Sequence, residues 1–440
     1  MNSLSEKALN FNKMIKVNFD GGDLSSDSGL LVIKEFDEKI GFSQVIKDVV
    51  KVFDSVNHTD HKNEDVLLQK IYQNIAGYHA DNDADELKND PVFTTVLNKE
   101  NLASQPTISR LNTKLDEDTL KQLQKVNEIL LDRVYRIEPR EHVIFDLDST
   151  NFATFGEQVG ACYNSHYQAN GYHPLVLFDG LTGDCLKIEL RDGNVYTSNG
   201  VTNFIEPVLK EYDARYPWVT ACIRGDSGFA VPDLYEIAEK FGVNYVIRLK
   251  ANAVLHKNAA ELDALLAKKC QKNAVGYQVL YGEFEYQAGS WNKPRRVVVK
   301  IEKPAGELIY KHTFIVTNMA LPPKNIVKFY ANRGTMENYI KEGKNGFAFD
   351  KMSSSEFLTN ANKLQLAILA YNLVNWFRRL CLPQNVKGSR IETIRLQLIK
   401  IAGKVISTAR YIKFKLCSSY LYQKMFWQIL SKIEKLPQVA

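Results

Sequence analysis

Several common sequence signatures are missing from this chain of 440 residues. Its six cysteines never form a Cys-x2-Cys pair, which excludes a zinc ribbon and gives no sign of a disulfide framework. No P-loop, no Gly-x-Gly-x-x-Gly after a strand and no His-Glu-x-x-His occurs, so ATP, dinucleotide and zinc-hydrolase chemistry lack their usual residues. The N-terminal segment lacks the apolar region of a secretory signal, and we therefore expect a cytoplasmic protein.

Long apolar runs are missing as well. The most apolar stretch, Leu364–Phe377, is too short to span a membrane and contains Asn372 and Asn375. We expect it to form a buried helix, and we expect no membrane partner. A hydrophobic content of 45% with 11% aromatic residues is enough for a sizeable core in two or three domains.

Acidic residues are scarce in the C-terminal part of the chain. Residues 374–440 contain thirteen Lys or Arg and two Glu, a net charge of +11, whereas the whole chain carries +5 and the remainder therefore −6. Aromatic residues such as Tyr411, Phe414 and Trp427 are interleaved with these cations. Such a segment either keeps a surface solvated or lies along a polyanion. We predict a basic helical C-terminal region over residues 381–440.

Helical spacing dominates the first part of the chain. Apolar positions recur at helical intervals in residues 64–78 and 118–136. Between them, Ser104 is a candidate N-cap residue that is followed closely by a proline, which predicts a short helix carrying Arg110. This helix is either a plain surface helix or a helix-turn-helix reading helix that contacts DNA. We predict a helical DNA-binding domain over residues 1–135.

From residue 142 the pattern changes to an alternation of strands and helices. A strand, HVIFDLDST, is followed by two apolar segments on either side of the turn GLTGD, which reads as a hairpin. The strand WVTACIRGD, a helix that begins at Pro232 and the strand NYVIRLKA then form an α/β alternation. Three antiparallel strands followed by β-α-β is an RNase H-like order. We predict an α/β domain of this kind over residues 136–380.

A β-rich segment interrupts this domain. Residues 275–318 return to strand character, and helical spacing resumes from Asn325 to Leu380. We predict a β-rich insertion at about residues 255–320. The last helix of the sheet then returns after the insertion and delivers Glu337 to the face that was built before it.

Four chemically distinct side chains recur at short intervals after the insertion. They are Tyr330, Arg333, Glu337 and Lys344. Their separations of three, four and seven residues would place all four within a narrow arc of one helix at about 100° per residue. A carboxylate beside a phenol, a guanidinium and an ammonium is poorly explained by core packing. The set suits a metal ion beside a phosphate, which indicates nucleic acid as the partner.

The spacing Tyr-x2-Arg-x3-Glu-x6-Lys resembles the YREK-type pattern around the third carboxylate of DDE transposases of bacterial insertion sequences. The resemblance extends to an Asp-x-Thr motif with Asp148 at the end of the first strand, and to Asp226 at the end of a later strand. It implies that Asp148, Asp226 and Glu337 are the catalytic, metal-binding triad. Asp146 lies on the same strand face as Asp148 and remains an alternative ligand or a neighbour of the ligands.

The chemistry of this resemblance requires divalent cations. Phosphodiester cleavage and strand transfer use two of them about 3.5 to 4 Å apart. Because Mg²⁺ prefers carboxylates and water to imidazole or thiolate, we expect Mg²⁺, with Mn²⁺ able to substitute. Arg333 and Lys344 are expected to contact DNA phosphates, the alternative being ion pairs with Glu337 or Glu342. Tyr330 is expected beside them at the DNA.

One aromatic residue of the insertion has basic neighbours. Trp291 precedes Lys293, Arg295 and Arg296. It is predicted either to stack on a nucleobase at a DNA strand end or to lie exposed in a hairpin turn.

The resemblance implies a DNA transposase that binds the terminal inverted repeats of its element and a target DNA. It would cleave and transfer strands in a cut-and-paste reaction, as a homodimer on DNA, and be associated with the nucleoid when bound. An RNase H-like structure-specific nuclease is the second reading. A non-catalytic DNA-binding protein derived from a transposase is the third.

Overall fold

The structure, a computed structural model, describes residues 6–54, 60–272 and 275–439. The chain divides into two compact units. The first consists of Met1–Ile137, Glu342–Phe349 and Leu358–Ala440, and the second of Glu138–Lys341 and Asp350–Phe357. No helix in the described ranges has the length and apolar character needed to pass through a bilayer.

Helices and short strands make up most of the first unit, and the second contains a large sheet with helices. The helices are α1 (Leu30–Ile40), α2 (Phe42–Val49), α3 (Asn63–Ala76), α4 (Asp83–Leu87), α5 (Pro91–Leu97), α6 (Gln105–Asn112), α7 (Glu117–Ile137), α8 (Val201–Arg215), α9 (Pro232–Lys240), α10 (Ala253–Asn258), α11 (Ala260–Lys272), α12 (Pro323–Ala331), α13 (Gly334–Phe347), α14 (Phe357–Cys381), α15 (Ile391–Ile394) and α16 (Gln423–Glu434). The strands are β1 (Lys7–Ala8), β2 (Lys16–Val17), β3 (Leu24–Ser25), β4 (His142–Ser149), β5 (Phe152–Ala153), β6 (Cys162–Asn164), β7 (Ala169–Tyr172), β8 (Leu175–Asp179), β9 (Cys185–Glu189), β10 (Thr220–Gly225), β11 (Asn244–Leu249), β12 (Gln278–Tyr286), β13 (Arg295–Lys303), β14 (Lys311–Thr317), β15 (Gly403–Ser407) and β16 (Ile412–Leu416).

The second unit is built on an eight-stranded mixed sheet with the order β12-β13-β14-β11-β10-β4-β8-β9. β4, β8 and β9 are antiparallel neighbours, whereas β10 is parallel to β4 and β11 is parallel to β10. α8 precedes β10, and α9 connects β10 to β11. The prediction of an α/β domain is confirmed, and its three antiparallel strands and following β-α-β segment occur in the predicted order.

The segment predicted as an insertion contributes to the same sheet. After the helices α10 and α11, the strands β12, β13 and β14 form an antiparallel meander. β14 then pairs antiparallel with β11. This pairing covers an edge of β11 whose backbone N–H and C=O groups would otherwise lack partners.

Different helices cover the two faces of the sheet. Phe145, Ile223 and Tyr245 are cross-strand partners and share one face. On this face Phe145 contacts Tyr212 of α8, and Tyr245 stacks on Tyr235 of α9. Because side chains alternate along a strand, the residues next to these point to the opposite face.

The opposite face is covered by α12. Ile326 of this helix is buried together with Cys222, Val246, Val298 and Ile315 of the sheet. Strand alternation places the acidic residues of β4 on this same face. The helix that follows the β12–β14 meander therefore returns to the face that carries the candidate site.

A long buried helix organises the first unit. α14 is buried along most of its length, and Trp376 is completely inaccessible to solvent. Asn372 donates a hydrogen bond of 2.7 Å from its side-chain nitrogen to Asn127 Oδ1 of α7, which satisfies a polar group inside this core. The prediction of a buried helix over Leu364–Phe377 is confirmed.

The C-terminal region contains strands as well as helices. β15 and β16 form an antiparallel hairpin, and β15 also pairs with β3. The prediction of a helical region over residues 381–440 is therefore wrong at this hairpin. The sequence IKFKL alternates apolar and charged residues with a period of two, which is the pattern of a half-buried strand. The compact units also differ from the predicted boundary at 380, because Leu358–Ala440 belongs to the first unit.

Candidate active site

Asp148 and Asp226 lie level with each other at the carboxyl ends of two neighbouring parallel strands. β4 and β10 pair in register as far as Asp146 and Arg224, whose sequence positions differ by 78. Asp148 and Asp226 have the same offset. Both therefore fall at the same height and on the same face, where ligand sites of open α/β sheets commonly lie.

The turn after β10 fixes one oxygen of Asp226 and leaves the other available. Asp226 Oδ1 accepts a hydrogen bond of 2.8 Å from the backbone N–H of Gly228 and so caps a short 3₁₀ turn, Ser227–Phe229. A Cβ atom on Gly228 would lie 2.9 Å from Thr197 Cγ2, which is closer than real Cβ contacts. The glycine in the sequence GDSGF thus permits the turn that orients the carboxylate.

Arg333 connects the two aspartates. Its Nη2 atom lies 2.9 Å from Asp148 Oδ2 and 3.8 Å from Asp226 Oδ2. The two carboxylate oxygens are therefore no further apart than the sum of these distances. The side chain of Arg333 is only 14% exposed, so its charge acts in a partly desolvated environment.

The prediction that one helix carries the four spaced residues is wrong. α12 ends at Ala331 and α13 begins at Gly334, so Arg333 lies in the break between them. Here the N–H of Arg333 bonds to the carbonyl of Tyr330 at 2.9 Å, the short spacing of a tightened helical turn. Asparagine at 332 and glycine at 334 are weak helix formers, which favours a break at this point.

Glu337 lies in the first turn of α13 and is exposed to solvent. Its charge nevertheless acts on Asp148. Burial raises the pKa of Asp148 to about 6, Arg333 opposes this rise, and the negative charges of Asp226 and Glu337 add to it. Asp226 and Glu337 thus each repel the charge of Asp148.

The alternative ligand Asp146 is committed to an ion pair. Its two carboxylate oxygens each accept a bond of 2.6 Å from the guanidinium of Arg224, and both side chains are almost completely buried. Burial raises the pKa of Asp146, and the Arg224 charge opposes the rise. Arg224 also donates to the carbonyl of Phe329 in α12 at 2.8 Å. Asp146 therefore anchors α12 to the sheet beneath the candidate site.

Two tyrosines border the aspartates. Burial raises the pKa of Tyr330, and the charges of Arg333, Arg248, Asp226 and Asp148 all act on its phenol. The pKa of Tyr167 is also raised, first by burial and then by the charge of Asp148.

Sequence reasoning missed three residues of this neighbourhood. Arg224 could have been found from the sequence. It lies two residues before Asp226, and strand alternation places both residues on the same face of the sheet. Tyr167 lies in the turn between β6 and β7, and its hydroxyl donates to the carbonyl of Ser149 at 3.4 Å. Arg248 is an exposed residue of β11 between the buried Ile247 and Leu249. Neither Tyr167 nor Arg248 belongs to a recognisable spacing pattern.

A family model described as transposase DDE domain group 1 matches residues 7–438. The chain belongs to this DDE transposase family. No curated protein matches the chain. Among solved structures, it is similar to the piggyBac transposase in a synaptic complex with hairpin DNA, at 16% identity over 85% of this chain and 80% of that chain, with a TM-score of 0.42.

DDE transposases cleave DNA and transfer its strands, and they generally use divalent metal ions. The donor chemistry of Asp148, Asp226 and Glu337 fits such ions, because all three groups are hard oxygen ligands and the repulsion that Asp226 and Glu337 exert on Asp148 favours a cation. In this DDE transposase, however, the described ranges contain no group of three His, Cys, Asp or Glu side chains that is arranged to hold a metal ion. Arg333 supplies the positive charge at this point, and metal binding would require its guanidinium to move.

The structure places two of the predicted DNA-binding residues outside the unit that contains the three carboxylates. Lys344 follows Glu337 on α13, and the unit boundary falls between Lys341 and Glu342. The helix continues through Gly343 to Phe347. Arg110 is exposed on α6 of the first unit and donates a hydrogen bond of 2.9 Å to Thr107 Oγ1.

Trp291 of this DDE transposase is part of the protein core. It is 7% exposed, and its ring lies 5.4 Å from that of Tyr235 and 5.3 Å from that of Tyr286. The guanidinium of Arg295 lies 5.5 Å from the ring centre and pairs with Glu239 at 2.9 Å. The expectation of an exposed Trp291 available for a nucleobase is therefore wrong, because protein groups surround the ring.

Proposed function

We propose that this transposase binds the terminal inverted repeats of its element, cleaves DNA there and joins the freed ends to a target in a cut-and-paste reaction. The observation that carries the proposal is the arrangement of Asp148 and Asp226. They are level on adjacent parallel strands, and one nitrogen of Arg333 reaches both within 4 Å. A purely structural ion pair with Arg333 would need only one carboxylate. It would not explain why two carboxylates that repel each other share a partly buried space.

Asp148, Asp226 and Glu337 are proposed as the metal ligands, with Mg²⁺ as the ion and Mn²⁺ as its substitute. When bound, two such ions activate the attacking oxygen and stabilise the leaving oxygen of the phosphodiester. Glu337 is the ligand that α13 supplies, and because its side chain is exposed it is free to move toward a bound ion. Asp148 is the most buried of the three, and this burial is the main reason that its pKa is raised to about 6.

The positively charged residues serve the DNA. Arg333 has a planar guanidinium that can leave Asp148 for a phosphate oxygen pair, since guanidinium groups bind phosphate in a bidentate manner. Tyr330 lies beside Arg333, as the effect of each group on the other's pKa indicates. Lys344 is proposed as a further phosphate contact. Arg110, with the predicted DNA-binding domain of residues 1–135, is proposed to bind the terminal repeats, and a homodimer is proposed to hold two ends together.

A nicking assay with a matched control tests the proposal. The substrate is a labelled duplex that carries the terminal repeat of the element, and the variants are Glu337→Gln and Glu261→Gln. Glu261 is an exposed glutamate in the first turn of α11 in the same unit. We expect Glu337→Gln to bind the duplex like the unsubstituted protein and to lose Mg²⁺-dependent nicking, while Glu261→Gln retains both. Nicking at the unsubstituted rate by Glu337→Gln would refute the assignment.

A second assay separates transposition from simple hydrolysis. Pre-nicked repeat duplexes with a free 3′-hydroxyl are incubated with supercoiled plasmid and Mg²⁺. In strand transfer the 3′-oxygen attacks a target phosphorus and displaces a 3′-oxygen of the plasmid strand, so the label becomes covalently joined to the plasmid. We expect this product. Nicking without any joined product would instead favour a structure-specific nuclease.

A further inference from the structure

A face of the C-terminal hairpin presents three lysines with no acidic neighbour in either strand. β15 and β16 pair so that Lys404 lies opposite Lys415 and Ile406 lies opposite Lys413. Strand alternation then places Lys404, Lys413 and Lys415 on one face. All three are exposed, and among the described residues none of their side chains forms an ion pair or a hydrogen bond. We call these three residues the lysine face.

The other face of the hairpin is anchored to the first unit. Val405 is buried, while Phe414 and Leu416 line an apolar cavity of about 460 Å³ together with residues of α16. β15 is further held by β3, since Gly403 pairs with Ser25. The lysine face is therefore presented outward by a ribbon that is fixed from behind.

Stability does not account for the lysine face. Like charges directly opposite each other on a sheet are destabilising, and Lys404 faces Lys415 in this way. Lysines on an edge strand often protect the edge from pairing with other chains. That role suits Lys413 and Lys415 of β16, but Lys404 lies on β15, which has partners on both sides. The arrangement instead suits a ligand with closely spaced negative charges.

We propose that the lysine face contacts backbone phosphates of duplex DNA without reading its sequence. Successive residues on one face of a strand are about 7 Å apart, and cross-strand neighbours about 5 Å, so the three ammonium groups form a compact cluster on flexible stems. A two-stranded ribbon is narrow enough to enter a DNA major groove. Arg410 is exposed at the hairpin tip, adding a fourth cation. The inference rests on the proposed function in that the partner is DNA.

The salt dependence of DNA binding tests this inference on the full-length protein. A fluorescent duplex of random sequence is titrated with protein at several KCl concentrations. The test variant combines Lys404→Gln, Lys413→Gln and Lys415→Gln. The matched control combines Lys121→Gln, Lys210→Gln and Lys311→Gln, which removes the same charge from lysines that pair with a glutamate four residues earlier on the chain. Thermal unfolding midpoints verify that both variants are folded.

We expect the slope of log K against log salt to become shallower by about 2 to 3 in the test variant, at roughly 0.9 per lost phosphate contact, and to change little in the control. The same change is expected for a duplex that carries the terminal repeat, because phosphate contacts are independent of sequence. An unchanged slope in the test variant, or an equal loss in the control, would overturn this inference alone. Loss of binding to anionic lipid vesicles with an unchanged DNA slope would also overturn it. Absence of DNA binding by the unsubstituted protein would overturn the proposed function as well.

Discussion

The guanidinium of Arg333 lies 2.9 Å from Asp148 Oδ2, at the point where the proposed metal ions would need to be. The chain thus places one of its own cations against the most buried of the three candidate carboxylates. Arg333 lies in the break between α12 and α13, where the backbone is not held by a continuous helical ladder. The side chain is thus in a position to exchange Asp148 for a DNA phosphate.

Removal of Arg333 should destabilise the metal-free protein. Arg333→Ala leaves Asp148 without its compensating cation, and we expect a loss of about 1 to 3 kcal/mol in unfolding free energy near pH 7.5. Added Mn²⁺ should raise the thermal unfolding midpoint of this variant more than that of the unsubstituted protein. Arg215→Ala is the control, because Arg215 pairs with Glu211 in an exposed position and should matter little. An equal Mn²⁺ effect in all three proteins would contradict the exchange.

The raised pKa of Asp148 predicts that this residue makes the stability of the folded protein depend on pH. A carboxyl group with a pKa of about 6 in the folded state, against an ordinary value of 3.8, is favoured by folding when protonated. That stabilisation is complete below about pH 4 and is lost as the pH rises through 6. Asp148→Asn removes the dependence. In metal-free buffer, the Asp148→Asn variant should gain about 1 to 3 kcal/mol of stability relative to the unsubstituted protein when the pH is raised from about 4.5 to about 7.5. Thermal unfolding at the two pH values measures this difference, and a difference of opposite sign would refute the prediction.

Asp146 should behave as a structural residue. Asp146→Ala strands the buried guanidinium of Arg224, and we expect a loss of about 3 to 5 kcal/mol in unfolding free energy. The double variant Asp146→Leu with Arg224→Met should recover much of this loss, because no uncompensated charge stays buried. Thermal unfolding and Mn²⁺ titration of the double variant are the measurements. Full stability together with lost Mn²⁺ binding would instead make Asp146 a ligand.

Trp291 should contribute to stability and not to DNA affinity. Trp291→Ala removes a large side chain from a buried aromatic cluster, which typically costs about 3 to 5 kcal/mol. Trp218→Ala is the control, because Trp218 is 64% exposed in the same unit. Both variants should bind duplex DNA like the unsubstituted protein at a temperature where they are folded. Weaker DNA binding by folded Trp291→Ala alone would restore a role at the DNA.

Several strands and helices of the second unit could be predicted from the sequence, because the signals that define each element are local. The strand that contains Asp148, the strand before Asp226 and the helix that begins at Pro232 all occur where apolar runs and turn residues place them. The pairing of β14 with β11 was not predictable, since cross-strand register depends on contacts between distant segments. The same holds for the hairpin of β15 and β16, where a count of basic and aromatic residues concealed a period of two.

The candidate site was predictable in its residues but less so in its geometry. Spacing identified Tyr330, Arg333 and Glu337, yet the break at Asn332 depends on weak helix formers whose effect tertiary contacts decide. Trp291 had basic neighbours that suggested DNA. One of them, Arg295, instead packs against its ring. Sequence proximity of an aromatic and a cation does not distinguish these outcomes.

Anomalous diffraction from crystals of the protein bound to terminal-repeat DNA and soaked in MnCl₂ tests the central claim most directly. The account predicts manganese peaks at about 2.2 Å from carboxylate oxygens of Asp148, Asp226 and Glu337, with the Arg333 guanidinium displaced from Asp148. Peaks bound to Asp146 or to other residues, with Arg333 still on Asp148, would contradict it.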